Sequence, residues 1–127
     1  MRSQFTQKAQ TVLKLASSCA SSMRQGYIGT EHLLAGLLKE GTGVAARVLN
    51  ENGVETERVL EMIRELISFE GGVGVKERGG FSPRASKVLE ESHRMAERFG
   101  QREAGTEHIL LALLKEGENV AVRLLNT

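Results

Sequence analysis

A Glu-His pair occurs twice in this sequence, each time inside the letters Gly-Thr-Glu-His, at residues 29–32 and 105–108. A carboxylate beside an imidazole could bind a metal ion or transfer protons. Neighbouring side chains on a helix diverge by about 100°, however, so Glu31 and His32 cannot converge on one ion. The zincin spacing His-Glu-x-x-His is also absent. A metal site would need His32 to meet His108, and we expect instead that each histidine bonds to backbone near a helix start.

No nucleophile constellation accompanies these pairs. The four serines at 17, 18, 21 and 22 fall mostly on the outward face of a predicted helix. Cys19, the single cysteine, excludes a disulfide within the chain, and its alanine and serine neighbours predict a small buried or half-buried side chain. We therefore predict no catalytic residue, no metal and no cofactor.

The composition limits the partners of the chain. Its 127 residues suffice for one domain core. Seventeen basic residues balance sixteen acidic ones, all of them Glu, which does not predict a nucleic-acid-binding surface. The sequence has no signal segment and no apolar run long enough to span a bilayer. We expect a soluble cytoplasmic protein with no nucleic-acid or membrane partner, still compatible with a small local anion site.

The chain matches itself without a gap when shifted by 76 residues, the separation of Gly29 and Gly105. Apolar, polar and charged positions all recur, among them Phe5/Phe81, Ala9/Ala85, Val12/Val88, Leu37/Leu113, Lys39/Lys115, Arg47/Arg123 and Asn50/Asn126. Two copies are too few for an open solenoid. We predict two halves packed about a pseudo-twofold axis, each covering the apolar face of the other.

The apolar spacings of three and four residues predict four helices in the first copy. The first begins at Thr6 and ends near Gly26 with a left-handed glycine cap. The second is capped by Thr30 and ends at Gly41, the third spans 44–49, and the fourth begins near Thr56. The second copy repeats three of them: one capped by Ser82, one opened by Thr106, and one across 120–125.

The predicted fold is all-α, with two pseudo-twofold-related four-helix repeats in a single domain, 1–127. Repeat one covers 5–68, a Gly-rich linker covers 69–80, and repeat two covers 81–127. The sequence ends where repeat one continues into its fourth helix, so we expect repeat two to lack its last helix.

The helix starts could bind a ligand. Thr6 and Ser82 cap helices whose first amides carry partial positive charge, which suits an anion. Glu31 and Glu107 are carboxylates at other helix starts, which suit a cation. The simpler interpretation is capping alone, since Thr and Ser begin helices in most proteins.

These motifs resemble a known family. Phe-Thr-x-x-Ala at residues 5–9 is followed by Gly-Thr-Glu-His-Leu-Leu-x-Gly-Leu-Leu-Lys-Glu-Gly and then Val-Ala-Ala-Arg-Val-Leu at 44–49, with Phe-Ser-Pro-Arg-Ala at 81–85. Nearly the whole chain is similar to the Clp N-terminal repeat of AAA+ unfoldases, most of all to the ClpC type.

The resemblance implies a non-catalytic helical domain on top of a hexameric ATPase ring that feeds the ClpP protease. Such domains bind protein substrates and adaptors of the MecA type, and in ClpC-type proteins they recognise phosphoarginine. The matching positions are Glu31 with Thr6 and Glu107 with Ser82. Phe5 and Phe81 would lie near the groove between the repeats, where family members bind peptides, or act as hydrophobic staples at the helix starts.

Two alternatives stay open. The groove near Phe5 and Phe81 could bind unmodified adaptor or substrate proteins without phosphoarginine recognition. The chain could also be a small metal-dependent enzyme that uses His32 and His108.

Overall fold

The computed structural model describes residues 4–69, 80–117 and 119–126, with the backbone alone at 67–69. These residues form seven helices, as predicted, and two strands of two residues each. The strands were not predicted from the sequence. In chain order the elements are β1 Gln4–Phe5, α1 Gln7–Ser22, α2 Thr30–Glu40, α3 Val44–Glu51, α4 Thr56–Phe69, α5 Pro83–Arg98, β2 Glu103–Ala104, α6 Thr106–Glu116 and α7 Val120–Leu125. The helical fold class is confirmed. No helix among the described residues has the length and apolar character needed to cross a membrane.

The core lies around α2 and α6. In α2 every residue from Thr30 to Leu38 is buried, because α1, α3, α4 and α7 all pack against this helix. A helix that is apolar on all sides is stable only when neighbours surround it. Helix α1 buries the predicted stripe against it, with Ala9, Val12 and Ala16 at 0% exposure, and α5 packs in the same way against α6. Cys19 belongs to this core, as predicted, and burial raises the pKa of its thiol.

The hydroxyl caps predicted at Thr6 and Ser82 are confirmed, and the predicted end of the first helix is wrong. Thr6 Oγ1 and Ser82 Oγ each accept an amide hydrogen bond at 3.1 Å from the third residue of their helix, and Pro83 occupies the first position of α5. Helix α1 ends at Ser22, before Gly26, and Arg24 takes the left-handed conformation at φ 58°. The equivalent residue of repeat two is Gly100, at φ 74°, so only repeat one places a side chain in this strained region.

Reciprocal backbone pairing joins the two repeats. The amide of Thr6 donates to Ala104 O at 2.9 Å, where β1 runs parallel to β2. At the equivalent place Ser82 N donates to Ile28 O, also at 2.9 Å. The start of each repeat therefore lies on the loop before the second helix of the other, which agrees with the predicted pseudo-twofold relation.

The predicted linker, 69–80, lies mostly outside the described residues. Residue 69 ends α4, and Gly80 O accepts a hydrogen bond at 2.9 Å from Ile28 N. The repeats also differ on one face. Helix α4 packs against α2, whose Leu38 is 4% exposed, whereas its counterpart Leu114 on α6 is 47% exposed. No helix of the described part of repeat two covers that face of α6.

Candidate functional site

The Gly-Thr-Glu-His blocks begin α2 and α6 in a different way from the prediction. The N-cap residues are Gly29 and Gly105, not Thr30 and Thr106, which stand at the first helical positions. The histidine at the third position accepts a 2.9 Å hydrogen bond at Nδ1 from the glycine amide, in both repeats. Histidine thus replaces the usual Glu or Gln of a capping box. The prediction that His32 and His108 bond to backbone at helix starts is confirmed.

The two threonines cap helices of the opposite repeat. Thr106 Oγ1 accepts from Ala45 N at 3.2 Å, at the start of α3. The N-cap of α3 is Gly43, which has no side chain of its own, and a Cβ there would lie 2.5 Å from Thr106 Oγ1. A glycine is required because the hydroxyl of the other repeat occupies this space and satisfies the helix start.

The equivalent contact at α7 is weaker. Thr30 Oγ1 accepts from Ala121 N at 3.4 Å, while Asn119 caps α7 with its own side chain through a 2.9 Å bond from Val122 N. The pseudo-symmetry of the two helix starts is therefore broken by an asparagine in place of a glycine.

The glutamates of the two blocks fold back over their N-cap glycines. A Cβ on Gly29 would lie 2.5 Å from Glu31 Oε1, and a Cβ on Gly105 would lie 2.7 Å from Glu107 Oε1. Glu31 is only 7% exposed, and Glu107 is half-buried. Each carboxylate thus lies at the positive end of its helix dipole, held over a backbone that carries no side chain.

Each glutamate shares a cavity with the capped helix start of the other repeat. The Glu107 pocket, of about 350 Å³, is lined by Thr6, Gln7, Lys8, Thr42, Gly43, Val44, Arg47, Gly105, Thr106 and Glu107. The Glu31 pocket, of about 470 Å³, is lined by Tyr27, Gly29, Thr30, Glu31, Gly80, Phe81, Ser82, Pro83, Arg84 and Val120. In each of the two pockets, a hydroxyl-capped helix start and a carboxylate face the same cavity.

The predicted pairing of these residues is wrong. Sequence reasoning placed Thr6 with Glu31 and Ser82 with Glu107, inside one repeat each. The structure places Thr6 with Glu107 and Ser82 with Glu31, because each repeat begins by pairing its backbone with the other repeat. Both pockets are therefore built from both halves of the chain.

The Glu107 pocket contains two basic side chains. Lys8 and Arg47 stand beside Thr6 in its lining, and Lys8 Nζ donates to Thr42 O at 3.3 Å. Next to it, Glu40 Oε1 accepts from the amides of Gly43 at 2.7 Å and Thr42 at 3.0 Å. Partial burial would raise the pKa of the Glu40 carboxyl, but the Thr42 hydroxyl, these amides and the charge of Lys8 lower it overall. Glu40 therefore stays ionised, and its hydrogen bonds hold the loop at Thr42 and Gly43 that lines the pocket.

Of the described residues that line the Glu31 pocket, one is basic, and it is already in an ion pair. Arg84, the counterpart of Lys8, donates to Glu116 Oε2 at 2.8 Å. The pocket is also lined by the rings of Tyr27, Phe81 and Pro83. The two pockets thus share their carboxylate and hydroxyl but differ in charge and in apolar lining.

Phe5 and Phe81 lie in different environments. Phe81, 36% exposed, lines the Glu31 pocket, whereas the ring of Phe5 lies 4.4 Å from that of His93 on α5. Neither is the predicted staple, because the helix positions that a staple would contact hold polar residues, Gln10 and Ser86. Gln10 instead donates to Phe5 O at 3.0 Å. A peptide groove formed by both phenylalanines stays a prediction.

The histidines offer little to a metal ion. His32 is fully buried and His108 is 3% exposed, and both use Nδ1 to accept a backbone hydrogen bond. Burial lowers the pKa of His32 to about 4. Within the described residues, no group of three or more His, Cys, Asp or Glu side chains is arranged to hold a metal.

Sequence reasoning missed the basic residues of the pockets. Lys8 and Arg84 both follow the capping hydroxyl by two positions, in Thr-x-Lys and Ser-x-Arg, and Arg47 belongs to the repeated Arg47/Arg123 pair. This recurrence was the sequence signal that could have identified the basic residues. No such signal marked Tyr27 and Thr42, because only the contact between the repeats brings them to the cavities.

Comparison with known proteins identifies the family. The family model of the Clp repeat (R) N-terminal domain matches residues 4–127, and the chain belongs to this family. It is 44% identical over 128 residues to the chaperone protein ClpB of Oceanobacillus iheyensis. It is 43% identical over 126 residues to the negative regulator of genetic competence ClpC/MecB of Bacillus subtilis. Each alignment covers 99% of this chain and 15% of the relative, so the chain spans about a seventh of these curated relatives.

Solved structures agree on the fold. The N-terminal domain of the chaperone ClpD from Arabidopsis thaliana has a TM-score of 0.76 and 18% identity, with 97% of this chain and 85% of that one covered. The ClpV N-domain in complex with a VipB peptide has a TM-score of 0.73 and 21% identity, with 97% and 76% covered. The resemblance stated from the sequence motifs is confirmed at the level of the family and its fold.

Proposed function

We propose that the chain is a binding domain for protein substrates and adaptors, and that its two composite pockets bind phosphoarginine. One observation carries the proposal: in each pocket a carboxylate and a hydroxyl-capped helix start face the same cavity. A phosphorylated arginine presents a guanidinium group and a phosphate only one bond apart. No ordinary side chain combines these two groups, so the arrangement suits this modification.

The carboxylates would bind the guanidinium group. Both oxygens of Glu31 and of Glu107 lie within 3.3 Å of where a Cβ on the N-cap glycine would stand, so each carboxylate rests against glycine backbone. A carboxylate accepts two parallel hydrogen bonds from a guanidinium, and such charge-assisted bonds are roughly twice as strong as neutral ones. Burial of Glu31 strengthens the interaction because less water screens it.

The helix starts would bind the phosphate. In α1 the amides of Gln7 and Lys8 are the first two of the helix and have no acceptor within it. Amides in this position, with the dipole behind them, bind anions. The lysine and arginine of the Glu107 pocket add positive charge beside them.

The whole-protein role is part of the proposal. Relatives with more than 40% identity are named ClpB and ClpC/MecB. We place the chain in a ClpC-like ATP-dependent unfoldase of the cytoplasm that works with the ClpP protease and MecA-type adaptors, with ATP hydrolysis in other domains. The ClpV N-domain, bound to a VipB peptide, supports a peptide-binding use of this fold.

Isothermal calorimetry with free phosphoarginine tests the pockets. We expect saturable heat for the unmodified chain and none for the Glu31→Gln/Glu107→Gln double variant, because glutamine keeps the shape and loses the charge. Glu65→Gln, on the exposed side of α4, is the matched control and should bind normally. Equal binding by the double variant and the control would contradict the pocket assignment.

A second candidate function is the binding of unmodified proteins near Phe5 and Phe81. Exposure of the Phe81 ring at the Glu31 pocket favours it. In a pull-down with a MecA-type adaptor, Phe81→Ala should then lose binding while the double glutamine variant keeps it. The opposite pattern would leave only the phosphoarginine proposal.

A further inference from the structure

Because the chain is an internal repeat, the two pockets can be compared position by position. They differ in the charged side chains that line them, and these determine which ligand charge each pocket favours. The Glu107 pocket has two cations, Lys8 and Arg47, against one carboxylate among its lining residues. The Glu31 pocket has one cation, Arg84, against one carboxylate among the described residues that line it. Counted over these lining residues, the first pocket is positive by one charge and the second is neutral.

Ion pairing enlarges this difference. Arg84 is held at 2.8 Å by Glu116, whose other oxygen accepts from Asn119 at 2.7 Å. A guanidinium that already neutralises a carboxylate through a hydrogen bond attracts an added anion less strongly than Lys8, which donates at 3.3 Å to the Thr42 carbonyl and acts on the Glu40 carboxylate through its charge alone.

The helix starts differ in the same direction. Helix α1 presents the amides of its first two residues, whereas α5 has Pro83 in the first position and so lacks one donor. The second wall of the Glu107 pocket is the start of α3, an eight-residue helix. The corresponding helix, α7, has six residues and is capped by its own asparagine.

The apolar lining differs in the opposite direction. Tyr27, Phe81 and Pro83 line the pocket that holds the carboxylate of Glu31, and no aromatic residue among those described lines the Glu107 pocket. A flat guanidinium stacks well on aromatic rings while a carboxylate neutralises it. A dianionic phosphate gains nothing from such rings.

Together these differences assign different ligands. Resting on the proposed function, we infer that the two pockets are not equivalent: the Glu107 pocket selects phosphoarginine, and the Glu31 pocket selects an unmodified arginine side chain. A phosphate carries about −1.5 to −2 charge near pH 7, so phosphoarginine is a net anion that fits the positive pocket. Arginine is a cation that fits the neutral, ring-lined pocket. A protein segment with both residues would bind across the domain.

Two-dimensional NMR of the whole chain measures both pockets in one titration, since each reports through its own amides. With free phosphoarginine, the Gln7 and Gly105 signals should saturate at a concentration at least about tenfold lower than those of Gly29 and Phe81. One charge-assisted hydrogen bond supplies a ratio of this size. With free arginine the order should reverse.

Variants separate the causes. Lys8→Gln should weaken phosphoarginine binding at the Glu107 pocket about tenfold and leave the Glu31 pocket unchanged. Glu116→Gln removes the carboxylate charge that Arg84 neutralises while keeping an acceptor for Asn119, and should strengthen phosphoarginine binding at the Glu31 pocket. The spectra also show that each variant is folded.

Equal saturation of the two pockets by phosphoarginine, or earlier saturation of the Glu31 pocket, would overturn the inference and leave the proposed function intact. No response of either pocket to phosphoarginine would overturn the proposed function and the inference together.

Discussion

The burial of His32 predicts a specific sensitivity to acid. This imidazole is fully buried in α2, its Nδ1 accepts from Gly29 N at 2.9 Å, and its Nε2 has no hydrogen-bond partner among the described residues. Protonation would place a charge in the core and would turn the accepting Nδ1 into a donor that faces another donor. Burial lowers the pKa of His32 in the folded protein to about 4, from 6.5 in an exposed peptide.

The sign of the effect follows from linkage. Between pH 6.5 and 4 the unfolded chain takes up a proton at His32 and the folded chain does not, so the free energy of unfolding falls as the pH falls through this window. The loss amounts to about 2 kcal/mol at pH 5 and approaches about 3 kcal/mol below pH 4. The carboxyls of Glu40 and Glu91 also have lowered pKa values, and the stability that they contribute is lost mainly at more acidic pH, so the effect of His32 is isolated by comparing the chain with a variant that lacks this imidazole.

Urea unfolding at pH 7.5 and at pH 5.0 measures this loss. The matched variant is His32→Gln, because a glutamine at the third helical position can accept from the same glycine amide but cannot titrate. Its unfolding free energy at pH 7.5 defines any packing cost, and we expect its change between the two pH values to be smaller than that of the unmodified chain by about 2 kcal/mol. An identical change in the two proteins would refute the placement of a neutral, acceptor-bound His32 in the core.

Three further predictions concern the caps and the pockets. Arg24→Gly should raise the unfolding free energy by about 0.5–1 kcal/mol, because glycine removes a left-handed strain of about 1–2 kcal/mol and costs part of it in chain entropy; a lower urea midpoint would contradict this. Thr106→Val should lower the unfolding free energy by about 1–3 kcal/mol, because it leaves a buried α3 amide without an acceptor. Thr30→Val should lower it less, because the hydrogen bond of Thr30 is longer and Asn119 also caps α7. Equal shifts of the melting temperature in the two variants would contradict this prediction. Gly29→Ala should displace the Glu31 carboxylate and weaken ligand binding at that pocket in calorimetry, with a helix-cap cost under about 1 kcal/mol; unchanged affinity would show that the carboxylate is not used.

Local features of the fold were predictable from the sequence. The helices follow from apolar spacing, and the hydroxyl caps at Thr6 and Ser82 follow from residues that bond to their own first turn. The structural role of His32 was also accessible, since it concerns a bond to a residue three positions away. Each of these depends on interactions within a single turn of chain.

The pairing across the repeats was not predictable in this way. A shift of 76 residues shows that Thr6 and Ser82 are equivalent, but it does not say whether either contacts its own repeat or the other one. That choice depends on two residues of parallel strand, Gln4–Phe5 with Glu103–Ala104, too short to leave a pattern. The caps supplied by Thr30 and Thr106 were misassigned for the same reason, because their acceptor oxygens serve helices 91 and 61 residues away.

The crossed construction of the pockets has a consequence for engineering. In the Glu107 pocket, repeat one supplies the cap, the loop and the cations, and repeat two supplies the Gly-Thr-Glu block that both repeats share. A tandem of two copies of repeat one would therefore carry two cation-rich pockets. A tandem of two copies of repeat two would carry two pockets lined by Phe81 and Pro83, with Glu103 at the position of Tyr27. A single repeat has only half of either cavity, and could recreate a whole one only by pairing with a second molecule.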